Sequence, residues 1–328
     1  MKRRAILLAA PALLGACAAP EPLPPGEAPP PAPAPLTVTT PGGLRLHAFQ
    51  TGWVRVKSSH RTLSGPSALR LPGIILDTAW TSWLPILCYA IEHPDGVILV
   101  DTGETSRTID PDYFACSRGD AFFYTRNLRF AVRAEDEIGA QLRRVGIDPH
   151  EVRWVAMTHL HSDHTGGMPS LARSRFLLSQ GDAQGHLGTL SCRIPDGLVR
   201  EAVSHDGPPV GAFAGSHAVT RDGAVLLVPT PGHSPAHQSV LLRDGDHQWL
   251  FAGDAVFDLG QAERGEVAGI VADVPAARDT VARLRRQLAL SPTLLLAAHD
   301  PAARERLRLG PGGMGSGPAQ GGNPLGRS

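Results

Sequence analysis

The residues best suited to chemistry fall in one stretch, Thr158-His159-Leu160-His161-Ser162-Asp163-His164-Thr165-Gly166-Gly167, with three histidines and an aspartate within six positions. Imidazole nitrogen and carboxylate oxygen are the donors that bind zinc-like divalent ions, and a catalytic site keeps one position open for water. In extended backbone, side chains two residues apart point the same way, so His159 and His161 can hold one ion. Asp163 and His164 follow as the chain turns and can face a second ion, while the glycines let backbone pass close by and a helix begin. A lone histidine on an apolar strand is usually core. Three of them sharing one turn with an aspartate read as ligands.

Three distant residues extend the set, each at the end of an apolar run. His233 in Thr230-Pro231-Gly232-His233 follows residues 225–228, Asp254 closes Phe251-Ala252-Gly253-Asp254, and His299 in Ala297-Ala298-His299-Asp300 follows residues 294–296. Ligands at corresponding ends of several strands converge on one edge of a sandwich. The pattern His-x-His-x-Asp-His, a later His, an Asp and a final His resembles the metallo-β-lactamase superfamily. Leu84-Pro85-Ile86-Leu87-Cys88-Tyr89, Ile98-Leu99-Val100-Asp101-Thr102-Gly103 and residues 230–240 resemble its N-acyl-homoserine lactonase branch.

The resemblance implies an α/β (α+β) fold, the metallo-β-lactamase αββα sandwich, in which two mixed β-sheets are flanked by helices. It implies two divalent metal ions, zinc foremost, with iron, manganese or cobalt suited to the same donors. One ion would take His159, His161 and His233, the other Asp163, His164 and His299. Asp254 would bridge them, and Asp101 would orient the site. A water shared by such a pair has its pKa lowered toward about 7, which gives a hydroxide able to attack a lactone or ester carbonyl. Asp163 can receive the nucleophile's proton and pass it to the leaving alkoxide, so Asp163 and Asp254 are the catalytic candidates. His237, four residues beyond His233, is a supporting candidate. His47, His60, His93, His150, His186, His205, His217 and His247 read as surface or internally satisfied positions.

The lactonases carry a tyrosine three residues after the bridging aspartate, and here that position is Phe257. The substrate therefore stays open between a lactone, a phosphotriesterase-like organophosphate and a glyoxalase II-like thioester. A metal-binding lipoprotein without turnover is the non-enzyme alternative. Tyr113, Phe114, Phe122, Phe123, Tyr124 and Phe130 are half of all Phe and Tyr residues and lie within eighteen positions of one irregular segment. A pocket wall of these, with a second from Trp80 and Trp83, favours a small hydrophobic ester or lactone, and Tyr124 is a candidate to replace the missing hydroxyl.

The elements that must position these residues are expected as strands at 45–56, 87–91, 97–100, 152–157, 176–178 and 224–228. A hairpin of 238–242 with 248–252 turns at Asp244-Gly245, and a strand at 293–297 closes the set. Helices are expected at 135–145, in pieces between 182 and 204, and at 275–290 capped by Asp273. The ends differ in composition. Residues 1–17 read as an export signal, Lys2-Arg3-Arg4 preceding an apolar run too short to span a bilayer, and Leu14-Gly15-Ala16-Cys17 resembles a bacterial lipobox. Residues 18–42 form a Pro/Ala-rich linker, 43–309 the hydrolase domain and 310–328 a disordered Gly/Pro-rich tail. This implies a periplasmic enzyme, lipid-anchored to the outer membrane of a Gram-negative cell, touching membrane only through that anchor. With 31 basic and 31 acidic residues the formal net charge is zero, which gives no reason to expect nucleic acid. Cys88, Cys116 and Cys192 permit one disulfide. Nothing in the sequence specifies a subunit number.

Overall fold

The computed structural model describes residues 28–110 and 112–311. The signal segment, Cys17 and most of the expected tail lie outside the described residues. The first sheet has eight strands: β1 (Leu36–Thr39), β2 (Arg45–Val56), β3 (Leu84–His93), β4 (Gly96–Val100), β5 (Leu128–Ala131), β6 (Val152–Ala156), β7 (Arg175–Ser179) and β8 (Val199–Val203). Its order is β1-β2-β3-β4-β6-β7-β8, with β5 added to β2; the strands from β1 to β4 pair antiparallel and those from β4 through β6 and β7 to β8 parallel. The second sheet has five strands: β9 (His217–Ala218), β10 (Val225–Pro229), β11 (Gln238–Asp244), β12 (His247–Gly253) and β13 (Thr293–Ala297), ordered β13-β12-β11-β10-β9 with only β12 and β13 parallel.

Period-two alternation builds the layers. Leu87, Tyr89 and Ile91 of β3 face Val240, Leu242, Trp249, Phe251, Leu294 and Leu296 of the other sheet, forming the core between them. The opposite face of the first sheet packs Phe49, Leu99 and Phe176 on Ile138 and Leu142 of the helix Ile138–Arg144. The outer face of the second packs Leu241, Leu250 and Leu295 on Val274, Ala277, Val281 and Leu284 of the helix Val274–Leu290. That helix starts where expected, the Asp273 carboxylate accepting from Ala276 N at 2.8 Å. The result is the expected αββα sandwich.

Several expectations need correction. The stretch read as linker contributes β1, because Leu36-Thr37-Val38-Thr39 alternates apolar and β-branched polar residues and pairs with the edge of β2. Upstream of it, Trp53 Nε1 donates to Pro30 O and Arg304 to Ala34 O. The segment 182–204, expected as helical pieces, holds one 3₁₀ turn (Ser191–Arg193) and the parallel edge strand β8. The helix expected at 135–145 is split. Glu137 is extended, its carboxylate accepting from Thr105 Oγ1, Ser106 N and Ser106 Oγ at 2.7–2.9 Å, and the helix proper begins at Ile138. Inside the aromatic segment lies a true helix, Arg118–Asn127, capped by Ser117. Among the described residues no helix is long and apolar enough to cross a membrane.

Candidate metal centre

Every candidate ligand follows the C-terminal end of a strand. His159, His161, Asp163 and His164 come after β6, His233 after β10, Asp254 directly after β12 and His299 after β13. Two cross-links hold these ends together: Gln238 N donates to Thr158 O at 3.0 Å, and Ala298 N donates to Gly253 O at 3.1 Å. Gly253 must be glycine, since its φ is +51° and an added Cβ would lie 2.6 Å from Thr158 Oγ1.

The structure brings all seven residues together, in two groups. His159 Nε2, His161 Nδ1 and His233 Nε2 form a triangle with edges of 2.9, 2.9 and 3.2 Å. A tetrahedral ion with metal–nitrogen bonds of about 2.0–2.1 Å needs edges of about 3.3–3.4 Å, so a few tenths of an ångström of opening fits one. In the second group His299 Nε2 lies 3.4 Å from Asp163 Oδ2, and His164 Nε2 lies 3.9 Å from Asp163 Oδ1. Asp254 stands between the groups. Its Oδ1 is 3.3 Å from both His164 Nε2 and His299 Nε2, and its Oδ2 is 3.5 Å from His233 Nε2. His164 Nε2 and Asp254 Oδ1 are buried without a hydrogen-bond partner. Buried polar atoms of this kind are rare and call for a partner, which a divalent ion supplies. The donor set fits divalent metal use.

Each imidazole is fixed through its other nitrogen. His164 Nδ1 donates to Asp101 Oδ2 at 2.8 Å, His233 Nδ1 to Ile270 O at 3.0 Å, His299 Nδ1 to Pro85 O at 2.9 Å and His161 Nε2 to Leu187 O at 3.2 Å. His159 Nδ1 lies 3.1 Å from Thr158 Oγ1, whose own proton goes to Asp101 Oδ2. Carboxylates and carbonyls only accept, so these contacts place a proton on the outer nitrogen and make the inner one the nitrogen that would ligate an ion. Burial pushes His159 and His161 well below the ordinary imidazole range and His233 down to about 3, which keeps all three neutral as ligands must be. Burial also opposes charge on His299, but Asp254 and Asp163 together outweigh it and raise it to about 10. That acidic field is what would attract a dication.

Asp101 sits where expected, behind the ligands. His237 also has a supporting place: its Nε2 accepts from Asp254 N at 3.2 Å and its Nδ1 meets Thr230 Oγ1 at 2.9 Å, fixing the backbone at the bridging position. Sequence reading missed Asp182, whose carboxylate accepts from Ala236 N at 2.9 Å and from Ser234 Oγ, clamping the loop that carries His233. It also missed Glu104, buried behind the motif with Tyr113 Oη donating to it at 3.1 Å. Burial and the nearby Asp163 charge raise Glu104 to about 8. No local signal marks either residue, because their partners are distant in sequence.

Five of the candidate ligands, His161, Asp163, His233, Asp254 and His299, form the floor of a cavity of about 560 Å³. Its walls are Val54, Leu71, Ile75, Phe122, Phe123 and Phe257. Part of the aromatic segment thus lines the pocket, while Tyr113, Phe114 and Tyr124 pack on one another. Trp80 and Trp83 do not line the cavity, and Lys57 Nζ lies 3.9 Å over the Trp80 ring. The helix Arg70–Leu76 takes the place expected for them. Tyr124 borders the cavity, but its hydroxyl donates to Gly188 O at 2.6 Å, so its proton is already committed. The segment is tied down by a Cys116–Cys192 disulfide, and Cys88 is free and buried.

The sequence profile of the metallo-β-lactamase superfamily matches residues 81–299. An N-acyl homoserine lactonase (AttM) of Rhizobium johnstonii is 26% identical over 235 residues, covering 70% of this chain and 86% of the relative. A probable metallo-hydrolase (Rv2300c) of Mycobacterium tuberculosis is 28% identical over 246 residues, covering 66% of this chain and 76% of the relative. Among solved structures, a variant of AiiA from B. thuringiensis with N-decanoyl-L-homoserine at its active site superposes with a TM-score of 0.62 at 21% identity, covering 82% of this chain and 96% of that one. AidC, a dizinc quorum-quenching lactonase, gives 0.56 at 14% identity over 82% of this chain and 91% of its own. At these identities the two superpositions speak for the fold.

Proposed function

Given that the chain belongs to the metallo-β-lactamase superfamily and is a metal-dependent hydrolase, we propose that it opens the ring of hydrophobic lactones bearing an acyl chain, using two divalent ions, zinc by donor type. The ligands in this reading are His159, His161 and His233 for one ion, Asp163, His164 and His299 for the other, with Asp254 between. The observation that carries it is that five imidazoles, each held through one nitrogen, turn the other into two groups, and that Asp254 stands between these, one oxygen 3.3 Å from His164 Nε2 and His299 Nε2 and the other 3.5 Å from His233 Nε2. Two such ions, when bound, supply a nucleophile from water near neutral pH and polarise the scissile carbonyl.

The chain's own residues do the rest. Asp163 borders the cavity and, in this reading, takes the nucleophile's proton on its carboxylate and returns it to the leaving alkoxide. Among the described residues, the serines beside the ligands and the free cysteine do not compete as nucleophiles. Ser162 Oγ is buried, Ser234 Oγ is spent on Asp182, and burial raises the Cys88 thiol well above its usual value. The apolar walls exclude water and receive an alkyl chain, and the lactonase relatives support a lactone as the reacting group. Export with a lipid anchor at Cys17 is part of the same proposal. The Cys116–Cys192 disulfide supports it, since such bonds persist in oxidising compartments.

The test is a substrate panel of acyl-homoserine lactones of increasing chain length, aryl esters, paraoxon-like triesters and thioesters. The highest kcat/KM is expected for long-chain lactones. Faster turnover of triesters or thioesters with lactones untouched would refute the lactone reading.

A further inference from the structure

We propose that His60 contacts the substrate, donating a hydrogen bond to an oxygen of the bound ester or lactone; the inference rests on the hydrolase reading above. His60 lies in the short helix Ser58–Arg61, is only 6% exposed, and lines the same cavity as Asp163, Asp254 and His299. Its ring sits between Phe123, 6.1 Å away, and the edge-on ring of Phe257, 6.4 Å away. The Phe257 ring in turn lies 5.6 Å from that of His299. The imidazole is therefore one aromatic layer from the metal floor.

Its hydrogen bonding sets it apart. The five ligand histidines and His237 are each fixed by a protein group, and His186, which also lines the cavity, accepts from Leu160 N at 3.2 Å. His60 Nδ1 is wholly buried and has no partner, and no protein group bonds Nε2 among the described residues, so Nε2 is the nitrogen left to face the cavity and donate. The backbone around it is nonetheless rigidly placed. His60 N donates to Lys57 O at 2.9 Å, and His60 O accepts from Gly269 N and Ile270 N at 3.0 Å each. Ile270 O holds His233 Nδ1, so one residue ties His60 to a candidate ligand. A Cβ at Gly269 would fall 1.8 Å from Ser59 O, which shows how closely the two segments meet.

A polar ring fixed in an apolar wall, with its hydrogen bonding unmet by the protein, has the form of a ligand-recognition group. Burial lowers the imidazole to about 4, so it is neutral in working conditions and keeps one N–H to donate. Phe257 and Phe123 flank the ring, and Asp163, Asp254 and His299 line the same cavity, so the acceptor it selects belongs to a substrate whose reacting group reaches those residues. The substrate class this specifies is an apolar chain carrying an oxygen at that point, in the ester group itself or in an amide next to it.

The experiment compares wild type with His60→Phe and His60→Gln on N-decanoyl homoserine lactone, on an alkyl γ-lactone of equal chain length without an amide, and on 4-nitrophenyl decanoate. Metal content and Tm are measured alongside. His60→Phe is expected to lose about 10- to 100-fold in kcat/KM with metal content unchanged and Tm at or above wild type, because an unpaired polar group has been removed. His60→Gln, which keeps an N–H donor, is expected to recover part of the loss. A loss on every substrate places the bond on the reacting ester, and a loss confined to the amide-bearing lactone places it on the amide. Kinetics within about twofold of wild type on all substrates, or a fall in Tm together with loss of metal, would overturn the proposal. A wild type inactive on both lactones defeats the lactone reading and leaves the aryl ester to decide His60. Inactivity on all three defeats both.

Discussion

Asp101 organises the ligand motif from behind. It is the only non-glycine residue among those described with a positive φ, +57°, a conformation that costs energy and persists where the surroundings enforce it. Its carboxylate accepts from Thr158 N at 2.7 Å, Thr158 Oγ1 at 2.8 Å and His164 Nδ1 at 2.8 Å, so it orients two ligand histidines, His164 directly and His159 through Thr158. Asp101→Asn is expected to weaken metal affinity about 10- to 100-fold, measured by chelator competition, while leaving the far-UV spectrum unchanged. Glu104 affects stability in the opposite sense to an ion-paired acid. Its folded pKa of about 8 lies above the usual 4.5, so the folded chain keeps a proton that the unfolded chain has released. The stability it contributes is complete below about pH 4.5 and is lost as pH rises through about 8, by at most about 5 kcal/mol. Denaturant titrations of metal-stripped wild type and Glu104→Gln should therefore diverge between those pH values, with the variant gaining relative to wild type as pH rises. The seven candidate ligands were legible in the sequence because donor types cluster and follow apolar runs. His60, Glu104 and Asp182 were not, since each is defined by what folds against it: His60 reads as a surface or internally satisfied position until the segment through Ile270 covers it.

Strands that are continuous apolar runs, such as β3, β10 and β12, were readable because both of their faces are packed. β1 was hidden by the proline content around it, and β8 by its charged edge residues, the exposed Arg200 and the half-buried Glu201. The helix Arg118–Asn127 has little amphipathic pattern because its aromatics pack partly on their own segment and partly on the cavity. This wall is joined to the turn after β7 by Cys116–Cys192, a link across 76 positions of sequence. Replacing Cys192 by Ala is expected to cost about 2–4 kcal/mol in chemical denaturation and to raise KM more than it lowers kcat, since the wall loosens while the floor stays intact. At the β12 end, Gly253→Ala forces a Cβ against Thr158 and keeps a left-handed backbone. A loss of stability of about 1–3 kcal/mol with a sharp loss of activity is expected, read from thermal melts and initial rates.

Across the whole molecule, both sheets contribute to both ligand groups. The first group takes His159 and His161 from beyond β6 and His233 from beyond β10, and the second takes Asp163 and His164 from the first sheet and His299 from the second. Metal would then bridge the sandwich at its open edge, where the core between the sheets ends, so chelation is expected to lower Tm in proportion to the metal removed. The layered fold could be anticipated because strands precede mixed strands and helices twice over; which edge carries the site followed from ligands placed at strand ends. Under the proposed function, two divalent ions held on either side of Asp254 would be needed for hydrolysis. The direct test is stepwise zinc reloading of the metal-stripped protein, with bound metal and lactone hydrolysis measured on the same samples, alongside Asp254→Ala. Activity is expected to rise to its maximum only as the second equivalent binds, and the variant is expected to stay inactive at any loading. Full activity at one equivalent, or hydrolysis retained by Asp254→Ala, would contradict it.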